Sequence, residues 1–510
     1  MTPRPPDNYD TTLRSDGQLS PQASEHPPLP AVPERLPRAV PDARRRFLSE
    51  TDCHDIARRL AQVAEGGGFT SVWIESTWLG NVRWARNQIS STGEDRNDHI
   101  VVERNMRGAR GTCVVLNEST DEALVAAARR AERLARLEPE TPLYELWPHT
   151  QFEPFVAPQI FSEATYNLDA EQRATSARQL AQSAANASML SAGYIEVSAT
   201  SLANITSYGF ARYFQYTQAS YSVTVRDPSG SGSGWAGVDW WDWNKIDGPK
   251  LSALALDKCL KSRNPVAIEP GRYTTILEPQ AVCDFIGQMT TCTVPSDDYP
   301  LLGNEFGVKV IDERLSVSAD PMDPALGFQP FEHFANTNDK MNLINAYIYH
   351  PITWIENGVT KLPVRRPRNV AYKFYNQKQV IAEEGAIHIS VTGATTSVEE
   401  MIATTKRGLL VTRFDLVQSL DVDSRLFRGY TRDGLWLIEN GKISKAVKNM
   451  QFVESISFAL NNVDQVGVPQ RAFRPMLQGP YSYVDIAPQP AFVPPMKIRD
   501  FSFTALADAV

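Results

Sequence analysis

A change of hydrophobic period at Phe69 limits the folds open to this chain. Before it, Ile56, Leu60 and Val63 recur at helical spacing behind Ser49 or Thr51, either of which can cap a helix, and Gly66-Gly67-Gly68 closes the segment. After it the apolar residues alternate: Val72 and Ile74, then Val82, Trp84 and Ile89, then Val101 and Val102, then Val114 and Leu116. Alternation puts every second side chain on one face, so this stretch predicts a run of four short antiparallel strands. Asp121 begins a second helix through Leu137, with Leu124, Ala127, Ala128, Ala131, Leu134 and Ala135 on one stripe, and a third covers about 170–187. Strands rich in Tyr, Ile, Val and Thr resume at 193–202 and 208–226. Sheet and helices in this order make an α+β fold.

A further helix from Pro249 to about Lys261 leads to Asn264-Pro265, a domain boundary by the restriction proline places on the residue before it. The second half reads as a strand (273–277), a helix from Pro279 to about Met289, a loop-rich region, and then mostly strands at about 343–356, 370–375, 386–392, 409–414, 435–439 and 450–455. Ser397-Val398-Glu399-Glu400 is a capping box for one more helix, which Gly408 ends. Asn357-Gly358 and Asn440-Gly441 stand where two-residue hairpin turns need them. Ten of the 35 prolines fall between Pro3 and Pro41 among polar residues, too little apolar surface to offset ordering entropy. The expected organisation is a disordered Pro-rich arm (1–46), an N-terminal domain with an antiparallel sheet and helices (47–265), and a β-rich, barrel-like C-terminal domain (266–510).

Composition removes several function classes. The balance of 51 Lys+Arg against 59 Asp+Glu, net -8, repels phosphate backbones, which predicts no nucleic-acid partner. No uncharged apolar run approaches membrane-spanning length and no signal-peptide core is visible, so a soluble, cytoplasmic protein without a membrane partner is expected. Five cysteines and seven histidines are too scattered for a disulfide framework or a zinc ribbon. Gly230-Ser231-Gly232-Ser233-Gly234 lacks the Lys-Ser/Thr of a phosphate loop and opens no helix, which favours a flexible hairpin tip. Trp235, Trp240, Trp241 and Trp243 form either a ligand platform or, by the plainer reading, a partly exposed aromatic rim at a domain or subunit contact. No G-x-S-x-G elbow, nucleotide-binding glycine fingerprint, H-E-x-x-H pair or C-x-x-C is present, and Cys283 and Cys292 lack a ligand-like spacing.

Taken in order, the segments resemble one family. Asn81 to Ile89 (NVRWARNQI) resembles the strand in which the TldD/PmbA family carries an Arg-Phe-Ala-Asn-like motif, and 204–210 resembles its Asn-Ser-x-Gly strand. TTILEPQAVCDFIG (274–287) looks like the family's central strand and helix. GLLVTRFDLVQ (408–418) with GLWLIENGKISKAVKNMQF (434–452) is the most specific match, and VPPMKIRDFSF (493–503) resembles the terminal strand. The resemblance implies one of two kinds of protein. TldD-like members are zinc peptidases with His-Glu-x-x-x-His on that helix and a late Cys as third ligand, the Glu taking the proton from bound water. TldE/PmbA-like members share the fold, lack the site and pair with a TldD-like subunit.

In the aligned hexad Pro279 stands in place of the first His, Gln280 in place of the base and Asp284 in place of the second His. Proline cannot ligate and a neutral amide cannot accept the water proton. No Cys follows Cys292, so the third ligand is missing as well. The resemblance therefore implies a TldE/PmbA-like chain with a vestigial site at Pro279, Gln280 and Asp284 and no catalytic residues. It further implies no cofactor bound by this chain, zinc in a TldD-like partner of a heterodimer, and a peptide or unfolded-protein substrate enclosed by both subunits. Gln280, Cys283, Asp284, Trp235, Trp240 and Trp241 are the candidate interaction residues. Pro279 also has a structural reading, as first residue of a retained helix. A different metal site, from Cys283 and Asp284 with His333, His350 or His388, stays open, as do an independently acting hydrolase and a peptide-binding scaffold without a peptidase partner.

Overall fold

The computed structural model describes residues 46–63, 69–106, 110–137, 157–207, 209, 211–293, 307–327, 330–333, 346–348, 351–361, 387–421, 424–473 and 490–507, all within one compact unit, Ala39–Val510. The expected arm up to residue 45, the Gly66-Gly67-Gly68 stop, His350 and the expected strand at 370–375 lie outside the described residues.

Helix α1 (Glu50–Val63) is capped by Ser49, whose Oγ accepts from the Asp52 N–H while the Asp52 carboxylate accepts from the Ser49 N–H. The alternating stretch after Phe69 forms three strands rather than four. β1 (Phe69–Ala85) and β2 (Gln88–Met106) are a long ribbon, and β3 (Arg110–Leu116) follows. The segment taken as a strand through Ile89 contains the hairpin turn instead: Arg86 and Asn87 both have positive φ, 49° and 65°, as a type I′ turn requires. Arginine gives no sequence signal for that conformation, which is why the turn was hidden. α2 (Asp121–Ala135) is capped by Thr120, the short α3 (Glu163–Tyr166) by Ser162, and α4 (Ala170–Asn186) by an Asp169–Gln172 capping box. β4 (Leu190–Thr206), β5 (Ala211–Arg226) and β6 (Ser233–Trp240) complete an antiparallel sheet in the order β3-β2-β1-β4-β5-β6, and α5 (Gly248–Lys261) packs on its end.

Period two decides the layering. On β1, Val72, Ile74, Trp78, Val82 and Trp84 share the face that α1, α2, α4 and α5 cover, while Trp73 points to the opposite face with Val101, Leu202, Phe214 and Phe331. The glycines before β6 do more than form a tip. A Cβ on Gly234 would lie 2.1 Å from the Ala255 carbonyl oxygen and 2.5 Å from the Cys259 nitrogen, so glycine lets α5 lie directly on the strand. The turn itself is tied down by the Asp227 carboxylate, which accepts from the Ser229 and Ser231 hydroxyls.

In the second half, β7 (Gly271–Leu277) runs into α6 (Pro279–Thr293). β8 (Leu315–Ala319), the β9–β10 pair (Phe331–His333, Ala346–Ile348), β11 (Ile352–Glu356), β12 (Val359–Thr360) and β13 (Ile387–Val391) follow. Then come α7 (Val398–Ala403), β14 (Arg407–Asp421), β15 (Leu426–Glu439), β16 (Lys442–Ala446), β17 (Met450–Ser455), α8 (Ile456–Asn461), β18 (Val463–Val466), β19 (Gln470–Ala472), β20 (Ala491–Val493) and β21 (Met496–Leu506). One mixed sheet has the order β12-β11-β8-β13-β20-β19. In the other, β14-β7-β21-β17-β15 closes into a ring because β14 also pairs with β15. The fold is α+β with an N-terminal antiparallel sheet and a sheet-rich, partly ring-like C-terminal part. α6 packs on the ring through Ala281, Val282, Cys283, Phe285 and Ile286, and Phe285 meets Phe414, Phe452 and Phe501.

The edge strand β6 faces the second half. Ser233, Trp235 and Asp239 alternate onto the face away from the helices, and each meets a residue from beyond position 400. Arg471 of β19 ties this seam together through several contacts at once. Its guanidinium donates to the Asp239 carboxylate (2.7 Å), to the Asp239 carbonyl and to the Ala325 carbonyl, and lies 4.2 Å from the Trp240 ring centre. Both charged side chains are almost wholly buried, at 7% and 5% exposure. Arg471→Met leaves Asp239 charged and unpaired, a loss of about 3–5 kcal/mol, and the double variant with Asp239→Asn recovers much of it. Denaturant unfolding of the three variants checks this; equal stability of the Arg471→Met and wild-type chains refutes it.

Candidate functional site

The site is built on the first turn of α6. Pro279 is the first helical residue, where its missing N–H costs nothing, and Glu278 before it donates its N–H to the Val411 carbonyl and pairs with Lys258 at 2.6 Å. Gln280 and Asp284, four residues apart, share one face of the helix. The Gln280 amide donates to the Asp284 carboxylate (2.8 Å) and to the Phe473 carbonyl (2.8 Å), and accepts from the Phe473 N–H (2.9 Å). The second Asp284 oxygen accepts from the Phe414 N–H of β14 (2.9 Å). The amide nitrogen and oxygen of Gln280 and both carboxylate oxygens of Asp284 thus each bond inside the chain.

Arg413 sits beside this pair. Its guanidinium lies 4.6 Å from the Trp235 ring centre, 3.5 Å from Asp433 and 3.9 Å from Asp415, while Arg432 holds Asp415 at 2.6 Å. The Ser233 hydroxyl donates to Asp433, which joins the β6 edge to the same cluster. Trp235 also packs on the Phe473 ring at 5.9 Å. Burial pushes the Asp284 carboxyl up to about 6, against the opposing pull of Arg413 and of the hydrogen bonds from Gln280 and Phe414. An open cleft next to the cluster is lined by residues of the 230–233 turn, Ser262, Asp433 and Lys448.

The structure therefore gathers Gln280, Asp284 and Trp235 around Phe473 and Arg413. Cys283, adjacent in sequence, is buried in the core on another face of α6. Trp235 is buried rather than part of an exposed rim, with 8% exposure. Trp240 and Trp241 lie further along, Trp240 under Arg471 and Trp241 donating its Nε1–H to the Pro324 carbonyl (2.8 Å). Among the described residues, His388 is not brought to Cys283 and Asp284 in a metal-holding group, and His350 lies outside the described residues. His388 is a half-buried strand residue against Phe492, with its imidazole lowered by burial, and the His333 side chain is outside the described residues. Among the described residues no group of three or more His, Cys, Asp or Glu side chains is placed to hold a metal ion. Pro279 offers no donor atom, Gln280 is a neutral amide, and the Gln280 and Asp284 oxygens already bond within the chain, so the three positions do not supply the imidazole and carboxylate set of a zinc peptidase site. Sequence reasoning missed Arg413, Asp433, Arg471 and Phe473, although Arg413 lies within the segment that carries the most specific resemblance.

Residues 270–505 match the family described as PmbA/TldA metallopeptidase C-terminal domain. This C-terminal part of the chain belongs to the TldD/PmbA family. Three solved structures share its fold. A protein of Bacteroides thetaiotaomicron described as a candidate modulator of DNA gyrase superposes with a TM-score of 0.71 at 15% identity, covering 90% of this chain and 100% of its own. TldE from Thermococcus kodakarensis gives 0.64 at 15% identity, over 88% and 99% of the two chains. A candidate gyrase modulator of Thermotoga maritima gives 0.63 at 13% identity, over 88% and 100%. No curated protein matches the sequence. The TldD/PmbA fold thus extends across nearly all of the described chain, the N-terminal sheet included.

The raised Asp284 carboxyl has a pH consequence. The folded chain holds this proton more tightly than the unfolded chain, so the stability it contributes is complete below pH 4 and is lost as pH rises through about 6. Partial solvent exposure of the residue tempers the size of the effect. Asp284→Asn removes the ionisation and also one hydrogen bond, since an amide cannot accept from both Gln280 and Phe414 as a carboxylate does. The fall in thermal stability between pH 4 and 6 is expected to flatten in this variant, measured in a melting series; an unchanged slope refutes the assignment.

Proposed function

We propose that the chain is the TldE/PmbA-like subunit of a two-chain TldD/TldE-type metallopeptidase that acts in proteolysis or peptide maturation. In this reading it binds no cofactor, and the zinc belongs to a TldD-like partner. What supports it is one observation: the helix positions that a zinc peptidase of this kind would use carry Pro279, Gln280 and Asp284, and the two polar ones are consumed by bonds to Phe473 and Phe414. A zinc ligand needs an open lone pair and a general base needs room for water. A glutamine whose amide brackets a backbone offers neither an imidazole to the metal nor a base to its water. The family match supports the peptidase context, and the fold it shares with a TldE structure is consistent with this reading.

The chain's part is to complete a chamber in which the partner cleaves peptides or unfolded segments. No helix among the described residues is long and apolar enough to cross a membrane, and the acidic balance disfavours nucleic acid; the proposed place of action is the cytoplasm.

Co-expression with the His-Glu-x-x-x-His chain of this family from the same genome tests the proposal. A stable complex on size exclusion is expected, with peptide cleavage by the complex that a chelator abolishes and none by the present chain alone. Stoichiometric zinc on the isolated chain, or cleavage by it, overturns the assignment; chelator-resistant cleavage by it identifies an independent hydrolase. Absence of any complex leaves only a peptide-binding scaffold.

A further inference from the structure

The far end of β14 breaks several local rules at once. Its outer edge pairs with β7 only as far as Val411, and among the described residues no strand pairs with that edge from 415 to 421. The ladder to β15 is interrupted twice in this stretch, between Asp415 and Gln418 and between Ser419 and Asp421. The residues set apart by these bulges include Leu416 and Leu420, which are 63% and 49% exposed. Leu416 also has φ 50°, a conformation in which a leucine is strained. Val417 beside it packs inward, where a Cβ on Gly429 would come within 3.0 Å of it. The bulge thus turns one apolar residue into the core and aims its neighbour outward.

Strained backbone, an open strand edge and two outward leucines on seven residues are offset within the chain only by the packing of Val417. They are the features of a strand that another chain completes. A second copy fits poorly. Antiparallel pairing of 415–421 with itself, centred on Gln418, matches Leu416 with Leu420 but also sets Asp415 against Asp421 at both ends, a like-charge contact that the Arg432–Asp415 ion pair offsets only in part. The better complement is a different chain, with an apolar strand flanked by basic residues. Location adds to this: the arm starts one residue after Phe414, whose N–H is bonded to Asp284. A strand added to the arm therefore lies beside the vestigial site.

We infer that residues 415–421 form the docking edge for the zinc-bearing subunit, which adds a strand to β14 and covers Leu416 and Leu420. The inference rests on the two-chain reading above and names the surface it uses.

Its test is the affinity of the purified full chain for the His-Glu-x-x-x-His chain of the same genome. The Leu416→Gly/Leu420→Ser double variant is expected to bind at least tenfold more weakly than wild type. Glycine adopts φ 50° without strain, so Leu416→Gly keeps or raises the melting temperature, which separates lost docking from lost folding. Leu420→Asp alone gives a second variant at a residue already exposed, and Ile443→Ser on the distant strand β16 leaves affinity unchanged. Wild-type affinity in both arm variants overturns the inference and leaves the two-chain reading intact. No binding by wild type removes both. Loss of self-association in the variants, with unchanged partner binding, assigns the edge to a second copy and also overturns it.

Discussion

The position of α6 against the first sheet depends on the buried ion pair between Arg471 and Asp239. Removing two charges from water is tolerable only where geometry returns the loss, and here the guanidinium answers a carboxylate and two carbonyls at once. The pair pins β19 to the edge of β6. Phe473 follows Arg471 by two residues, so its backbone is delivered to a fixed place, where the Gln280 amide brackets it. The register of the site helix is therefore set from outside the helix, by a salt bridge about two hundred residues away in sequence.

On the two-chain reading proposed above, this wiring explains how the helix keeps its place without a metal. In a zinc site the ion itself ties the helix to distant segments, and its loss leaves polar groups without partners. Gln280 and Asp284 supply the substitute ties: one reaches Phe473 next to β19, the other the backbone of β14. An amide is suited to the first role because it donates and accepts at once, and a carboxylate to the second because it can accept from the helix and the strand together. Arg413, stacked on Trp235, faces Asp433 and Asp415 and moderates the charge that burying Asp284 would leave. The features that disqualify these residues as ligands are the features that make them structural.

Much of this architecture was legible locally. Asn357-Gly358 has φ of 50° and 80°, and Asn440-Gly441 49° and 78°, the paired positive values that their sequence announces. The Ser397–Glu400 capping box forms as written, and Pro279 begins its helix. What was hidden shares one cause, that the deciding partner lies far away. The Arg86-Asn87 turn gave no glycine signal, and its Asn87 side chain is held by Ser191 and Met189 across the sheet. Ring closure depends on β14 lying between β7 and β15, a parallel pairing on one side and an antiparallel one on the other. The tryptophans of β6 were visible as a cluster, but their fates diverge with the pleat: Trp235 toward Arg413 and Phe473, Trp240 toward Arg471. Of the site, its residues could be named from sequence; the network that consumes them could not.

Among the conformations that oppose local preference, some are accounted for within the fold and one stands apart. Arg86, Asn87, Asn357 and Asn440 take positive φ where two-residue turns require it, so the fold accounts for them. Asp433 takes φ 55° inside a strand, beside Gly434, and there its carboxylate meets both Ser233 and Arg413. Its strain has a visible return, the joining of β6 to β14. Leu416 has the same kind of backbone, and its return within the chain is only the inward packing of Val417: its own side chain is in solvent and its outer strand edge is open. Sequences that fold well seldom combine adverse torsion, exposed apolar surface and an unpaired edge unless something external uses them. By that criterion the arm after Phe414 differs in kind from the other irregular strands of this protein, and the compensation for its conformation lies in another molecule.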